Sequence, residues 1–198
     1  MAAHAHARRR LLYLVRHAAV SVVPARPAAT WTLSKAGRAD ADALAAAFAG
    51  LSLSLVVSSP EPKALATASP IAAAAGLDVR VEAELREVER GRPVVGRDDY
   101  RRAVARYLAA DVAPAGWEPR WEAAARICRC VERVVNETPG SVCIVSHGIV
   151  LTLFLAAVRG RAPDASEWAA VPLPAVGVLD AASLTELTGL VSLEEFLA

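Results

Sequence analysis

The sequence has few aromatic residues, few cysteines and almost no net charge. Aromatic side chains make up 5% of its 198 residues, and 22 basic against 21 acidic residues leave a net charge of +1. A balance this even provides no basic surface for nucleic acid or an anionic membrane. We therefore expect neither as a partner, and we expect function to depend on a local site.

The three cysteines, Cys128, Cys130 and Cys143, are an odd number without repeated spacing. Such a set is a poor framework for disulfide bonds. Reduced thiols are typical of a cytoplasmic protein, and the cytoplasm is the location we expect.

The sequence also lacks an apolar run long enough to cross a bilayer. The longest, IVLTLFLAAV at 149–158, is typical of a buried helix. Near the N-terminus, LLYLV at 11–15 is shorter than the roughly 7–15 apolar residues that a signal peptide requires. We predict that residues 1–10 form a flexible tail and that the chain does not bind a membrane.

Short apolar runs alternate with helical patterns along the chain. The runs predict strands at LLYLV (11–15), LSLSLVV (51–57), VRV (79–81), SVCIVS (141–146) and near 176–179. Helical spacing predicts helices at 35–48, from Pro60 and Pro62 to about Ala75, and at 98–110, 118–137 and 148–159. This alternation predicts an α/β fold: a three-layer sandwich with a mainly parallel central sheet and helices on both faces, in one domain over residues 1–198. The residues after the last strand match no clear pattern.

Polar and basic residues follow three of the predicted strands. In folds of this class, ligands bind beyond the carboxyl ends of the strands. Arg16-His17-Ala18 follows the first strand, and Ser58-Ser59-Pro60 follows the second, with Lys63 in the next helical turn. Ser146-His147-Gly148 follows a later strand. A lone histidine at a strand end is most often structural, but cations that converge on a helix N-terminus favour a phosphate site.

Four motifs occur in a characteristic order: RHAAV at 16–20, SSPEPKALATA at 58–68, LREVERG at 85–91 and SHG at 146–148. Together they resemble the histidine phosphatase superfamily, also called the phosphoglycerate mutase-like superfamily. LSKAGRADADALA at 33–45 is similar to the first helix of that family, and the resemblance spans roughly residues 11 to 150. It implies phosphoryl transfer from a small phosphorylated substrate, with no metal or cofactor.

The resemblance implies a catalytic role for three residues. His17 corresponds to the nucleophile that becomes phosphorylated, and His147 to the second histidine, which hydrogen-bonds the transferred group. Glu87 corresponds to the proton donor, although a solvated charge in this acid-rich segment is the alternative reading. Flanking cations are expected to lower the pKa of His17, so that the neutral, nucleophilic ring is available near neutral pH.

Phosphate binding is implied for Arg16, Lys63 and Gly148. Lys63 stands where the family usually has an arginine, and lysine offers a single compact charge where arginine offers a planar fork. Val20 and Val23 stand where many members have threonine and asparagine, which removes two polar contacts. We therefore expect a weaker hold on phosphate than is usual in the family.

Several functions remain open at this point. We favour a phosphatase over a mutase, because the segment between His17 and Leu33 is short and lacks the polar contacts of the mutases. Removal of phosphate from a phosphohistidine on a partner protein is a second enzymatic alternative. Lys63 and the two valines leave open a third, a member that binds phosphate compounds without turnover.

Substrate choice is expected to depend on the region 89–120. Its candidate contacts are Arg90, Arg92, Arg97, Arg101, Arg102 and Trp117. These arginines are consistent with an acidic or multiply phosphorylated substrate, but we favour the alternative that they form a solvated helix face.

Overall fold

The computed structural model describes residues 9–91, 96–109 and 113–198. The strands within these ranges are β1 Leu11–Arg16, β2 Leu53–Ser58, β3 Val79–Val81, β4 Ser141–Ser146, β5 Ala175–Asp180 and β6 Glu186–Val191. The α-helices are α1 Lys35–Phe48, α2 Pro62–Ala74, α3 Arg97–Ala109, α4 Arg120–Glu137, α5 Gly148–Val158, α6 Ala165–Ala170 and α7 Leu193–Leu197. No helix in the described ranges is long and apolar enough to cross a membrane.

The strands form one sheet in the order β3-β2-β4-β1-β5-β6. The first four run parallel to one another, whereas β5 is antiparallel to both β1 and β6. The prediction of a mainly parallel sheet is confirmed. Because β2, β4 and β1 are parallel neighbours, their carboxyl ends lie side by side at one edge.

Helices cover both faces of the sheet, as predicted. Within β1, Leu12 and Leu14 belong to the core on the α4 and α5 side. The intervening Tyr13 and Val15 belong to the core on the opposite side, with Leu44 of α1. Burial on both faces explains why this strand is a continuous apolar run in the sequence.

Two helix boundaries follow from local chemistry. The Ser34 hydroxyl accepts a hydrogen bond from the backbone of Gly37 at 3.0 Å, which confirms the predicted start of α1. Pro62 opens α2, and Gly76 follows its end with a φ of +68°, in the left-handed region that glycine adopts readily.

The C-terminal part contains structure that the sequence did not predict. Helices α6 and α7 and strand β6 all lie after the last predicted helix. Strand β6 is a half-exposed edge strand, and Glu186 at its start pairs with Arg159, which is 27 residues away in the sequence. A half-exposed strand held by such a distant contact leaves little local signal, and α6 and α7 are only 6 and 5 residues long. Most of the predicted tail, residues 1–8, lies outside the described residues, as does Ala110 at the predicted end of α3.

Candidate active site

The carboxyl ends of three neighbouring strands carry the site. One residue beyond β1, the backbone N–H of His17 donates to the carbonyl of Ser146 at 3.0 Å. One residue beyond β2, Ser59 donates in the same way to Val145 at 3.0 Å. Sheet-like hydrogen bonding therefore continues past the strand ends and fixes the backbone of the polar residues that follow.

The structure brings together the two histidines that the sequence singled out. The ring centroids of His17 and His147 lie 5.1 Å apart, with an angle of 62° between the ring planes. His147 is fully buried, and 7% of His17 is exposed. Both rings are therefore shielded from solvent, and His17 retains a small exposed area.

The tautomer of His17 follows from one hydrogen bond. Its Nδ1 lies 2.8 Å from the carbonyl oxygen of Ala18. A carbonyl only accepts, so Nδ1 carries the proton and Nε2 carries the lone pair. Burial lowers the pKa of His17 well below its ordinary value, and the adjacent His147 and the charges of Lys63 and Arg16 lower it further. The ring is therefore neutral near pH 7, with Nε2 able to act as a nucleophile.

His147 is held at one nitrogen, and its other nitrogen has no partner within the described residues. Nε2 lies 2.7 Å from the hydroxyl of Ser59 and 3.5 Å from a carboxylate oxygen of Glu61. Nδ1 is buried without a hydrogen-bond partner. Burial lowers the pKa of His147, and the charges of Lys63 and of three arginines lower it further. A buried polar atom without a partner in the protein can contact a ligand or a water molecule.

Arg16 lies beside the start of α5. Its Nη1 donates to the carbonyls of Val171 at 2.5 Å and Pro172 at 3.3 Å, whereas its buried Nε has no partner in the described part of the chain. A Cβ at Gly148 would lie 3.0 Å from the guanidinium carbon, so glycine is what lets Arg16 pack against this helix end. Arg16 thus keeps one buried donor for a ligand.

Lys63 is 4% exposed and is already engaged. Its ammonium group donates to the carbonyl of Ala28 at 2.9 Å and forms a short ion pair with Glu61. An ammonium group has three donors, so these contacts use two of the three. The sequence reasoning missed Glu61, whose position just before Pro62 is equally typical of a solvated charge.

Glu87 occupies the N-terminus of α5, where the sequence reasoning expected only phosphate. Its carboxylate accepts hydrogen bonds from the backbone N–H groups of Ile149 at 3.1 Å, Val150 at 3.2 Å and Val88 at 3.0 Å. The free N–H groups of a helix N-terminus lack partners within the helix, so these contacts hold the carboxyl group of Glu87 at the helix end. The alternative of a solvated surface charge does not match this arrangement.

Arg126 of α4 supports the segment that carries Glu87, and the sequence reasoning missed it. Its guanidinium donates to the carbonyls of Glu84 at 2.6 Å, Arg86 at 2.7 Å and Glu87 at 3.1 Å. It also donates to both carboxylate oxygens of Glu118, at 2.7 and 2.8 Å. The only sequence signal was an arginine on the apolar face of a helix.

In the expected substrate region, Arg90 packs against aromatic rings, whereas the described arginines of α3 are exposed. The guanidinium of Arg90 lies over the rings of Tyr100, at 5.0 Å, and Trp117, at 5.7 Å. Arg102 is exposed and pairs with Asp99, which agrees with a solvated helix face. Arg97 and Arg101 are exposed on the same helix, and Arg92 lies outside the described residues.

Comparisons with known proteins give a family match and several similar solved structures. A family model described as the histidine phosphatase superfamily (branch 1) matches residues 12–186. A mycobacterial glucosyl-3-phosphoglycerate phosphatase is similar at 25% identity, with a TM-score of 0.71, over 92% of this chain and 98% of that one. The same phosphatase, in complex with VO3, is similar at 26% identity with a TM-score of 0.75, over 91% and 98%.

An alpha-ribazole phosphatase from Shigella flexneri shares the fold, at 22% identity and a TM-score of 0.69, over 91% of this chain and 95% of that one. Comparison with the curated proteins gives no match.

Proposed function

Because this chain belongs to the histidine phosphatase superfamily, branch 1, we propose that it hydrolyses phosphomonoesters through a phosphohistidine on His17. One observation carries the proposal. The hydrogen bond from Nδ1 of His17 to Ala18 leaves the lone pair on Nε2, in a pocket shared with His147. The similar solved structures named as phosphatases support hydrolysis as the reaction.

The reaction proceeds in two steps. First, Nε2 of His17 attacks the phosphorus atom and the bond to the ester oxygen breaks, while Glu87 donates a proton to that oxygen. Second, water attacks the phosphohistidine, Glu87 takes up a proton, and inorganic phosphate leaves as His17 is regenerated. Glu87 gives up a proton in the first step and takes one up in the second, so it returns to its starting state at the end of the cycle.

The remaining groups stabilise the charge on the phosphoryl oxygens. Phosphoryl transfer requires mainly alignment and compensating charge. The unpartnered Nε of Arg16 and Nδ1 of His147 provide two buried positions for these oxygens. Lys63 contributes its remaining donor, and Gly148 keeps the helix end open for Arg16.

We propose the cytoplasm as the compartment of this activity, with a small phosphorylated compound as substrate. The three cysteines in the described residues are all free, which supports a reducing environment.

Rapid acid-free quenching with a ³²P-labelled phosphomonoester tests the proposal. The wild-type protein should form an adduct that is labile to acid and stable to base, and the His17→Ala variant should not. Label transferred to an acceptor sugar acid in preference to water would indicate a mutase. Phosphate binding without any adduct would indicate a non-catalytic binder and contradict the proposal.

A further inference from the structure

Glu61 is a buried carboxylate whose two oxygens contact different parts of the site. It is 7% exposed. One oxygen pairs with the ammonium of Lys63. The other accepts a hydrogen bond from the backbone N–H of Glu87 at 2.7 Å and lies 3.5 Å from Nε2 of His147. A single side chain therefore contacts a cation, a histidine and the backbone of the carboxylate at the helix end.

Glu61 does not play the usual role of the residue that precedes a helix. Glu61 is the N-cap of α2, and an N-cap side chain commonly accepts a hydrogen bond from the first turn of its own helix. The side chain of Glu61 makes no such bond. Its backbone N–H instead donates to the hydroxyl of Ser59 at 3.2 Å, and that hydroxyl contacts His147. The carboxylate of Glu61 is instead directed into the site. Burial of a charge is unfavourable without partners, and this carboxylate has the partners described above.

The contacts of Glu61 determine which donors face the pocket. Nε2 of His147 lies against Ser59 and Glu61, so Nδ1 is the nitrogen left for a phosphoryl oxygen. A negative charge 3.5 Å from Nε2 stabilises the ring when both nitrogens carry protons. Lys63 is held by Glu61 and Ala28, which directs its third donor.

Resting on the proposed function, we propose that Glu61 is a positioning residue for phosphoryl transfer, which orients His147 and Lys63 and has no contact with substrate. A carboxylate so close to the pocket also repels phosphate. Removal of its charge should therefore slow transfer while it tightens phosphate binding. A residue with a merely structural role would lose rate, affinity and stability together.

The Glu61→Gln variant tests this, because glutamine keeps the shape and removes the charge. We expect the single-turnover rate of His17 phosphorylation by p-nitrophenyl phosphate to fall 10- to 100-fold. Calorimetry should show inorganic phosphate binding at least threefold more tightly. Glu89→Gln is the matched control: Glu89 is an exposed carboxylate in the same acidic segment, and both quantities should stay within twofold of wild type.

A double-mutant cycle tests whether Glu61 acts through Lys63. In a Lys63→Met background, the Glu61→Gln change should slow phosphorylation by less than it does in the wild type, because one of its partners is already missing. If Glu61→Gln slows phosphorylation by the same factor in both backgrounds, Glu61 does not act through Lys63.

A spectroscopic readout does not depend on how well the variants fold. In the phosphate-bound wild-type protein, ¹⁵N NMR should show a proton on Nδ1 of His147, the nitrogen that faces the phosphoryl group. A His147 ring without a proton on Nδ1 in that complex would overturn the inference. So would Glu61→Gln matching wild type in both rate and phosphate affinity, or losing both together. Absence of phosphohistidine in the wild type would instead refute the proposed function, and the phosphate affinities would still report on Glu61.

Discussion

The molecule buries positive charge in two neighbouring regions, and the two regions differ in how many polar atoms have partners. In the first, the guanidinium of Arg126 meets three backbone carbonyls and both oxygens of Glu118. In the second, the pocket around His17, Nε of Arg16 and Nδ1 of His147 have no partner among the described residues.

The difference separates a structural from a functional use of buried charge. A fully paired cation holds segments of chain together, as Arg126 holds the residues that lead to Glu87. Polar atoms left without partners in a buried pocket remain available to a ligand, and here they lie in the pocket of the proposed nucleophile, His17. Substitutions in the pocket around His17 should therefore reduce activity, whereas substitution of Arg126 should reduce stability.

The largest effect is expected at His17. The His17→Ala variant should lose at least about 10⁴-fold in kcat/KM, because no other group supplies the nucleophile. Its free energy of unfolding should fall by no more than about 2 kcal/mol. Phosphate release and urea unfolding measure the two quantities. Activity within tenfold of wild type would remove the functional side of the comparison.

Arg126 should show the opposite behaviour. Burial alone would raise the pKa of Glu118, but the hydrogen bonds and charge of Arg126 lower it, so the carboxylate depends on this partner. Arg126→Met should reduce the free energy of unfolding by about 3–5 kcal/mol. The double variant Arg126→Met/Glu118→Leu should recover part of that loss, because no uncompensated carboxylate remains while the three backbone carbonyls still lack their donor. A loss below about 1 kcal/mol in urea unfolding would contradict the structural role.

The pH dependence of stability should come largely from the pocket between pH 6.5 and 5.5. The pKa values of His17 and His147 are lowered chiefly by burial, so as pH falls below about 6.5 the unfolded chain gains these protons and the folded chain does not. Stability therefore decreases with acidification, by up to about 1.4 kcal/mol per pH unit for each ring. In urea unfolding, the His17→Ala variant should show about half of the pH dependence that His17 and His147 together give the wild-type protein. An unchanged slope would contradict this assignment.

A smaller effect is expected from Gly148→Ala. The added methyl group would meet the guanidinium of Arg16, whose Nη1 is held by Val171. We expect kcat/KM to fall about tenfold, equivalent to about 1.4 kcal/mol. The free energy of unfolding should change by less than about 1 kcal/mol, because alanine suits the helix. Equal kinetics for variant and wild type would show that Arg16 does not depend on this close approach.

The sequence predicted the residues of the pocket better than the residues that hold them in place. Strands buried on both faces leave continuous apolar runs, and the rule that ligands bind at their carboxyl ends identified His17 and His147 directly. Lys63 was placed at the correct edge by the same rule.

Glu61 and Arg126 were missed for a physical reason. Arg126 contacts backbone carbonyls 39 to 42 residues away, and Glu61 contacts the backbone of Glu87 26 residues away. Such contacts arise only when the chain is folded. In the sequence, these residues cannot be distinguished from ordinary charges on a helix or loop.

The most direct test of the account is the identity of the phosphorylated nitrogen. Trapped phosphoenzyme from ¹⁵N-histidine-labelled protein, kept at alkaline pH, can be assigned by ³¹P–¹⁵N coupling. We expect a phosphoryl group on Nε2 of His17, because Nδ1 is hydrogen-bonded to the carbonyl of Ala18. A phosphoryl group on Nδ1, or on His147, would contradict it.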